Sequence, residues 1–267
     1  MRLILLLALF LPPLPAAAAT VSLCMAVAED LRREAGPPVV LAAAGPGVPA
    51  AADGGVTITY AGHSTFVIET PAGVRIATDY SGAHGFDPLP RVVTMNKAHE
   101  THFTHAPDPG IEHVLPGWSP DGGPARHHLA VDDAIIRNVP TDIRMGDMME
   151  ADGNSIFIFE IAGLCIGHLG HLHHMLTDSH YAAIGRLDIV MVPVDGGLTL
   201  THDGMSAIVK RLQSSIVLPM HRRFSTIESF LDRVGDGFDI VRSTEKAFTV
   251  SPRTLPRRRT ILILAGI

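Results

Sequence analysis

Positive charge is scarce in this chain. Of its 267 residues, Lys and Arg together number 21 against 27 Asp and Glu, a formal net charge of -6. Apart from Arg257, Arg258 and Arg259 there is no basic stripe, so the electrostatic footprint of a nucleic-acid partner is missing. That short run is read as the flank of a final strand. There is no recognisable phosphate loop and no internal repeat of fixed short period, which sets aside repeat architectures. No apolar stretch reaches the ~20 residues of a membrane-spanning helix, so no stable membrane insertion of the mature chain is expected. Cysteine occurs twice, at Cys24 and Cys165. Nothing here specifies an oligomeric state.

What is present is apolar bulk and histidine. Hydrophobic residues make up 46% and charged residues 18%, enough to bury a sizeable core. There are 15 histidines, many of them in two short segments.

Residues 1 to 19 read as a signal peptide: Arg2, the apolar run Leu3 to Leu11, then Ala17-Ala18-Ala19 as a small-residue cleavage site. The expected location is periplasmic or secreted. Leu23 is not the small residue that lipidation of Cys24 would need. Export would permit a Cys24–Cys165 disulfide. Cys165 lies in an apolar strand-like run, however, and a buried free thiol fits it equally well.

Residues 20 to 55 read as an N-terminal helix, Met25 to Ala35, followed by an Ala-, Gly- and Pro-rich linker; the domain proper spans 56 to 267. Val56 to Tyr60, Thr65 to Glu69, Val74 to Asp79 and Val92 to Met95 read as strands. So do Ala134 to Val139, Ser155 to Ile161, Leu164 to Gly167, Asp188 to Val194 and Ile216 to Met220. Thr177 to Ile184, His202 to Leu212 and Phe224 to Val234 read as helices, the last with Ser225 as N-cap and Glu228 three residues on. Strands first, then mixed strand and helix, suits two sheets with helices outside.

Each histidine segment follows an apolar strand. His99, His102 and His105 recur at intervals of three after Val92 to Met95. His168, His171, His173 and His174 crowd behind Leu164 to Gly167, with glycines that allow close backbone approach. His221 ends Ile216 to Met220. A surface loop would explain one such histidine. Repetition at strand ends points to metal ligation, neutral imidazole being the commonest nitrogen ligand for zinc. Four ligands complete a zinc site, so some of these rings must serve as hydrogen-bonded supports.

The order Gly62-His63-Ser64, Asp79, histidine loop, His168-Leu169-Gly170, Val192-Pro193-Val194 and Pro219-Met220-His221 resembles the metallo-β-lactamase-fold superfamily of metal-dependent hydrolases. Within it the chain looks like the branch of ascorbate-6-phosphate lactonase and N-acylphosphatidylethanolamine phospholipase D. The resemblance implies an α/β (α+β) fold, an αβ/βα four-layer sandwich. That branch uses an H-x-H-x-D-H loop, a further His, a bridging Asp and a last His. Here Lys97 stands in place of the first His, His99 matches the second, Thr101 replaces the Asp and His102 matches the final His. His171 stands in place of the bridging Asp. Val139-Pro140-Thr141-Asp142-Ile143 lacks the intermediate His, and His221 matches the last ligand.

The resemblance therefore implies His99, His102, His171 and His221 as metal ligands, with His105, His168, His173 and His174 as alternatives. Losing the bridging carboxylate and gaining Lys97 disfavours a second cation, so one divalent ion, zinc, is expected. The implied activity is hydrolysis of an ester, lactone or phosphodiester of a small molecule by a metal-bound water. Lys97 would stabilise developing charge, and Asp195 would act as a functional or supporting carboxylate. The alternative is a catalytically impaired metal- or ligand-binding protein on the same fold. Asp79 fits an imidazole-orienting carboxylate or a turn cap. His63 is read as packing support, His202 as structural, and His127 and His128 as exposed.

Overall fold

The computed structural model describes residues 22–25, 54–222 and 226–267. The signal-peptide reading, and all of the predicted helix and linker except Met25, Gly54 and Gly55, lie outside these residues, as does Ser225.

The first sheet has the order β13-β1-β2-β3-β4-β5, from Ala247–Val250, Val56–Gly62, Thr65–Glu69, Arg75–Ala77, Val92–Met95 and His113–Pro116. The second has the order β12-β14-β11-β10-β9-β8-β7-β6, from Asp239–Arg242, Thr260–Ile263, Ile216–Met220, Ile189–Pro193, Leu164–His168, Met148–Ile161, Ala134–Met145 and His128–Val131. Strands β3, β4 and β5 pair in parallel in the first sheet, and β9, β10, β11, β14 and β12 in the second.

Alternation along β8 explains how the layers are held. Phe157, Phe159 and Ile161 join Ile58, Phe66, Ile68 and Met191 in the core between the sheets. Ile156 and Ile158, on the opposite face, pack with three helices. These are α1 (Asp178–Ile184), α2 (His202–Leu212) and α3 (Ile227–Val234). Strands buried on both faces read as near-continuous apolar runs, and β10 and β11 are buried throughout. The outer face of the first sheet is covered among the described residues by loops, with Tyr80, Ile111, Leu89 and Trp118 over Val67, Val93 and Met95. No helix of the described residues is long and apolar enough to cross a membrane.

Several elements differ from their sequence expectation. Strands β7 and β8 run on as a long hairpin to Met145 and Met148, where polar residues gain their strand geometry from pairing. Helix α3 begins after an N-cap position at Thr226, which makes no side-chain capping hydrogen bond. Strands β5, β6, β12 and β13 are additional, and β14 follows the arginine run as the expected final strand. Cys24 and Cys165 form a disulfide, so the free-thiol alternative does not hold.

Candidate functional site

One edge of the sandwich gathers the ends of strands from both sheets. His63 lies in the turn between β1 and β2. Asp79 follows β3, His99 and His102 follow β4, His171 follows β9, Asp195 follows β10 and His221 follows β11. A rigid sheet aims side chains well from such loops, because they leave its hydrogen-bond ladder intact. His63, Asp79 and His221 take positive φ of 52°, 43° and 53°, a conformation that His and Asp reach more readily than most residues. The His221 amide donates to the His63 carbonyl at 2.9 Å, tying a turn of one sheet to a strand end of the other.

Each of His63, His99, His102 and His221 offers one ring nitrogen, and these atoms lie within 4.8 Å of one another. Two of the rings are oriented by buried carboxylates. His102 Nδ1 donates to Asp79 Oδ2 at 2.6 Å, and His221 Nδ1 donates to Asp195 Oδ2 at 2.8 Å. A carboxylate can only accept, so the proton of each neutral ring sits on Nδ1 and the lone pair on Nε2. His221 Nε2 is buried and has no hydrogen-bond partner among the described residues. Oriented lone pairs backed by carboxylates are what a divalent cation requires, and the donor set fits one.

The carboxylates are themselves fixed. Asp79 accepts from Asn96 Nδ2 at 2.8 Å, and Asn96 Oδ1 accepts from the Ser155 amide. Burial alone would raise the Asp79 carboxyl, but the imidazoles of His168 and His102 and the hydrogen bonds from His102 and Asn96 hold it below the usual range. Asp195 Oδ1 accepts from the amides of Gly197, Leu198 and Thr199. Burial pushes its carboxyl up too, yet hydrogen bonds from His221, Thr199 and the loop backbone bring it well below ordinary carboxylates. Asp195 thus forms a turn and orients His221.

His171 packs against His99, His102 and His221, with ring centroids at 5.1, 4.8 and 4.6 Å. Its amide is held by Asn154 Oδ1 at 2.8 Å. Gly170 makes this approach possible, since a Cβ there would come within 2.5 Å of both Asn154 and Asn96. His168, His173 and His174 use both ring nitrogens elsewhere: on Ser64 and Gly170, on His171 and Arg144, and on Asp142 and Met175. His105 packs on Phe103 outside the cluster. His202 bonds the Val194 carbonyl, and His127 the Pro116 carbonyl.

Lys97 pairs with Glu150 at 2.6 Å. It lines a cavity of about 330 Å³ beside His99, together with Phe103, His105, Trp118 and Met145. His63, read as packing support, instead joins the cluster, its Nε2 3.3 Å from His102 Nε2. Asn96 and Asn154 carry supporting roles that spacing did not reveal.

Burial, then the neighbouring imidazoles, lowers His63 to about 3; burial, then Arg144, lowers His173 to about 4. Burial, then the same imidazole crowding, pushes His171 well below its ordinary value. These rings stay neutral in the fold, whereas in the unfolded chain they gain protons below about pH 6.5. The unfolded state then binds more protons, so metal-free protein should lose stability as pH falls from about 6.5 towards 3 to 4. Each such ring contributes at most about 1.4 kcal/mol per pH unit, and less where water screens it. Urea midpoints measured between pH 7.5 and 4.5 check this; a flat profile would contradict the buried neutral cluster.

The profile of the beta-lactamase superfamily domain matches residues 57–221, more than half of the chain. The chain therefore belongs to that superfamily, and its two-sheet structure is the metallo-β-lactamase fold. It is similar to a Thermotoga maritima protein named as a Zn-dependent hydrolase of the metallo-β-lactamase superfamily. The two share 25% identity with a TM-score of 0.56, over 78% of this chain and 98% of the other. A Parabacteroides distasonis protein named as a metal-dependent hydrolase aligns with a TM-score of 0.55 at 14% identity, over 68% and 89%. Igni18, a metallo hydrolase of Ignicoccus hospitalis, aligns with a TM-score of 0.51 at 20% identity, over 73% and 97%. No curated protein matches the chain.

Proposed function

We propose that this chain is an exported hydrolase that uses one divalent cation, zinc by the chemistry of its donors, on an ester, lactone or phosphodiester of a small molecule. The observation that carries this reading is the pair of carboxylate-backed imidazoles, His102 on Asp79 and His221 on Asp195, with His99 and His63 alongside. The bond types follow from the branch that the motif order resembles. When bound, the cation would polarise the scissile group and supply a nucleophile from water at neutral pH.

The chain's own groups do the rest. Asp79 and Asp195 hold His102 and His221 in the ligating tautomer. The cavity beside His99 receives the apolar part of the substrate against Phe103, Trp118 and Met145. Lys97 stands at its lip and can meet an anionic group by exchanging Glu150 for it. With imidazole as the only donor type, the cation keeps its full charge, which favours a strong Lewis acid and disfavours a second ion. The Cys24–Cys165 bond and the Leu3 to Leu11 run support export.

Elemental analysis after dialysis should find one zinc per chain; two tightly held ions would overturn the ligand assignment. Replacing His99, His102 or His221 by Ala should weaken zinc binding at least ~10-fold, given that lost supporting groups already cost that much. His127→Ala and His128→Ala should leave it unchanged. A broad esterase, lactonase and phosphodiesterase screen tests turnover. Zinc bound without turnover of any substrate would favour a metal- or ligand-binding protein. Sequencing the N-terminus of protein recovered from its native host tests export, and a retained Met1 would count against it.

A further inference from the structure

His171 was expected to be a metal ligand, in place of a bridging carboxylate. Its hydrogen bonds give it a different role. The Arg144 backbone N–H donates to His173 Nδ1. A backbone amide can only donate, so that nitrogen carries no proton and the proton of His173 sits on Nε2. His173 Nε2 lies 2.6 Å from His171 Nδ1, so it donates there. His171 Nδ1 is thereby an acceptor, and the ring's own proton must sit on Nε2. That atom is buried and has no hydrogen-bond partner among the described residues. His171 itself is 3% exposed.

The contrast with its neighbours is chemical. Carboxylates below His102 and His221 force their protons onto Nδ1 and leave Nε2 as a lone pair. The chain from Arg144 through His173 forces the opposite tautomer on His171. For His171 Nε2 to ligate, the ring would have to lose its one N–H proton and become an imidazolate while still accepting from His173. The nitrogens that do come together within 4.8 Å belong to His63, His99, His102 and His221, not His171.

We propose that His171 is an N–H donor to an anionic oxygen of the substrate, packed against the cation site, and is not a metal ligand. A buried N–H without an acceptor is costly, and a cation cannot relieve it. An anionic carboxylate or phosphate oxygen beside the cation can, since both the charge and the N–H attract it. His173, braced by Arg144, is then the positioning residue that sets the tautomer. The substrate oxygen rests on the hydrolase reading; the tautomer does not.

Long-range 1H–15N NMR of the metal-free chain reads the tautomers directly. The expected result is Nε2 protonation in His171 and Nδ1 protonation in His102 and His221. Nδ1 protonation of His171 would overturn the proposal. Titration with Zn2+ alone should give His171→Phe an affinity within about threefold of the parent, whereas a ligand loss would cost at least ~10-fold. Titration of the zinc-loaded chains with inorganic phosphate should then show His171→Phe weakened about 10-fold or more, with partial rescue in His171→Gln. Zinc loss in His171→Phe, or phosphate binding unchanged, would overturn the donor role. A parent chain that binds no zinc but shows the expected tautomers would defeat the hydrolase reading and leave the tautomer assignment standing.

Discussion

Replacing Asp79 by Ala should weaken zinc binding by roughly 10- to 100-fold and destabilise the metal-free fold by about 3–5 kcal/mol. Asp79 is completely buried, and both its carboxylate oxygens are engaged, by His102 Nδ1 at 2.6 Å and Asn96 Nδ2 at 2.8 Å. Truncation strands two buried donors, each costing about 1–3 kcal/mol. Ala must also adopt the positive φ of 43°, adding roughly 1 kcal/mol that Asn largely avoids. Freed of Asp79, His102 can swap tautomers and lose the lone pair that faces the cluster. Asp79→Asn separates the effects. It keeps the volume, the turn and one acceptor, so most of the stability should return while zinc affinity stays low for want of the charge. Urea denaturation and competition with a chelator measure the two quantities. Zinc affinity in Asp79→Ala within threefold of the parent would show that the carboxylate does not orient His102.

Much of the site could be read where periodicity and chemistry coincide. Val92 to Met95 and Ile216 to Met220 are short apolar runs buried between layers, and a polar residue at the end of such a run must leave the sheet. His99, His102 and His221 were visible for that reason. His63 was not. It is a single histidine in a hairpin turn, and it reaches the cluster through a positive φ and a backbone bond to His221, neither of which has a sequence signature. Asn96 and Asn154 were hidden because their partners, Asp79, Ser155 and the His171 amide, lie far away in the chain. The tautomer of His171 was beyond reach for the same cause, since its brace comes from the Arg144 amide on β7. The β7–β8 hairpin outran its apolar core because pairing, not composition, extends it past Thr141.

Removing the disulfide, by Cys24→Ala with Cys165→Ala or by reduction, should lower stability by about 3–5 kcal/mol. The bond joins residues 141 apart. Closing so long a loop removes much of the freedom of the unfolded chain, worth up to ~5 kcal/mol in the chain-entropy account. The native side adds to it. The Cys24 carbonyl accepts from the Arg186 amide at 3.1 Å, and Ser22 Oγ donates to Glu160 at 2.5 Å. Glu160 in turn pairs with buried Arg137, whose guanidinium caps the carbonyls of Ala183 and Ile184 at the end of α1. The bridge thus pins residues 22–25 against β9 and the end of α1. Ala at Cys165 is preferable to Ser, because a hydroxyl there would be buried. Guanidinium unfolding of oxidised, reduced and doubly substituted chains gives the difference, and coincident curves would show that the bridge contributes nothing. Cys165 lies near the start of β9, while the histidine cluster lies beyond its other end. Zinc affinity should therefore stay within threefold across all three chains. A loss of zinc together with the bridge would instead mean that the pinned segment transmits order along β9 to the histidines.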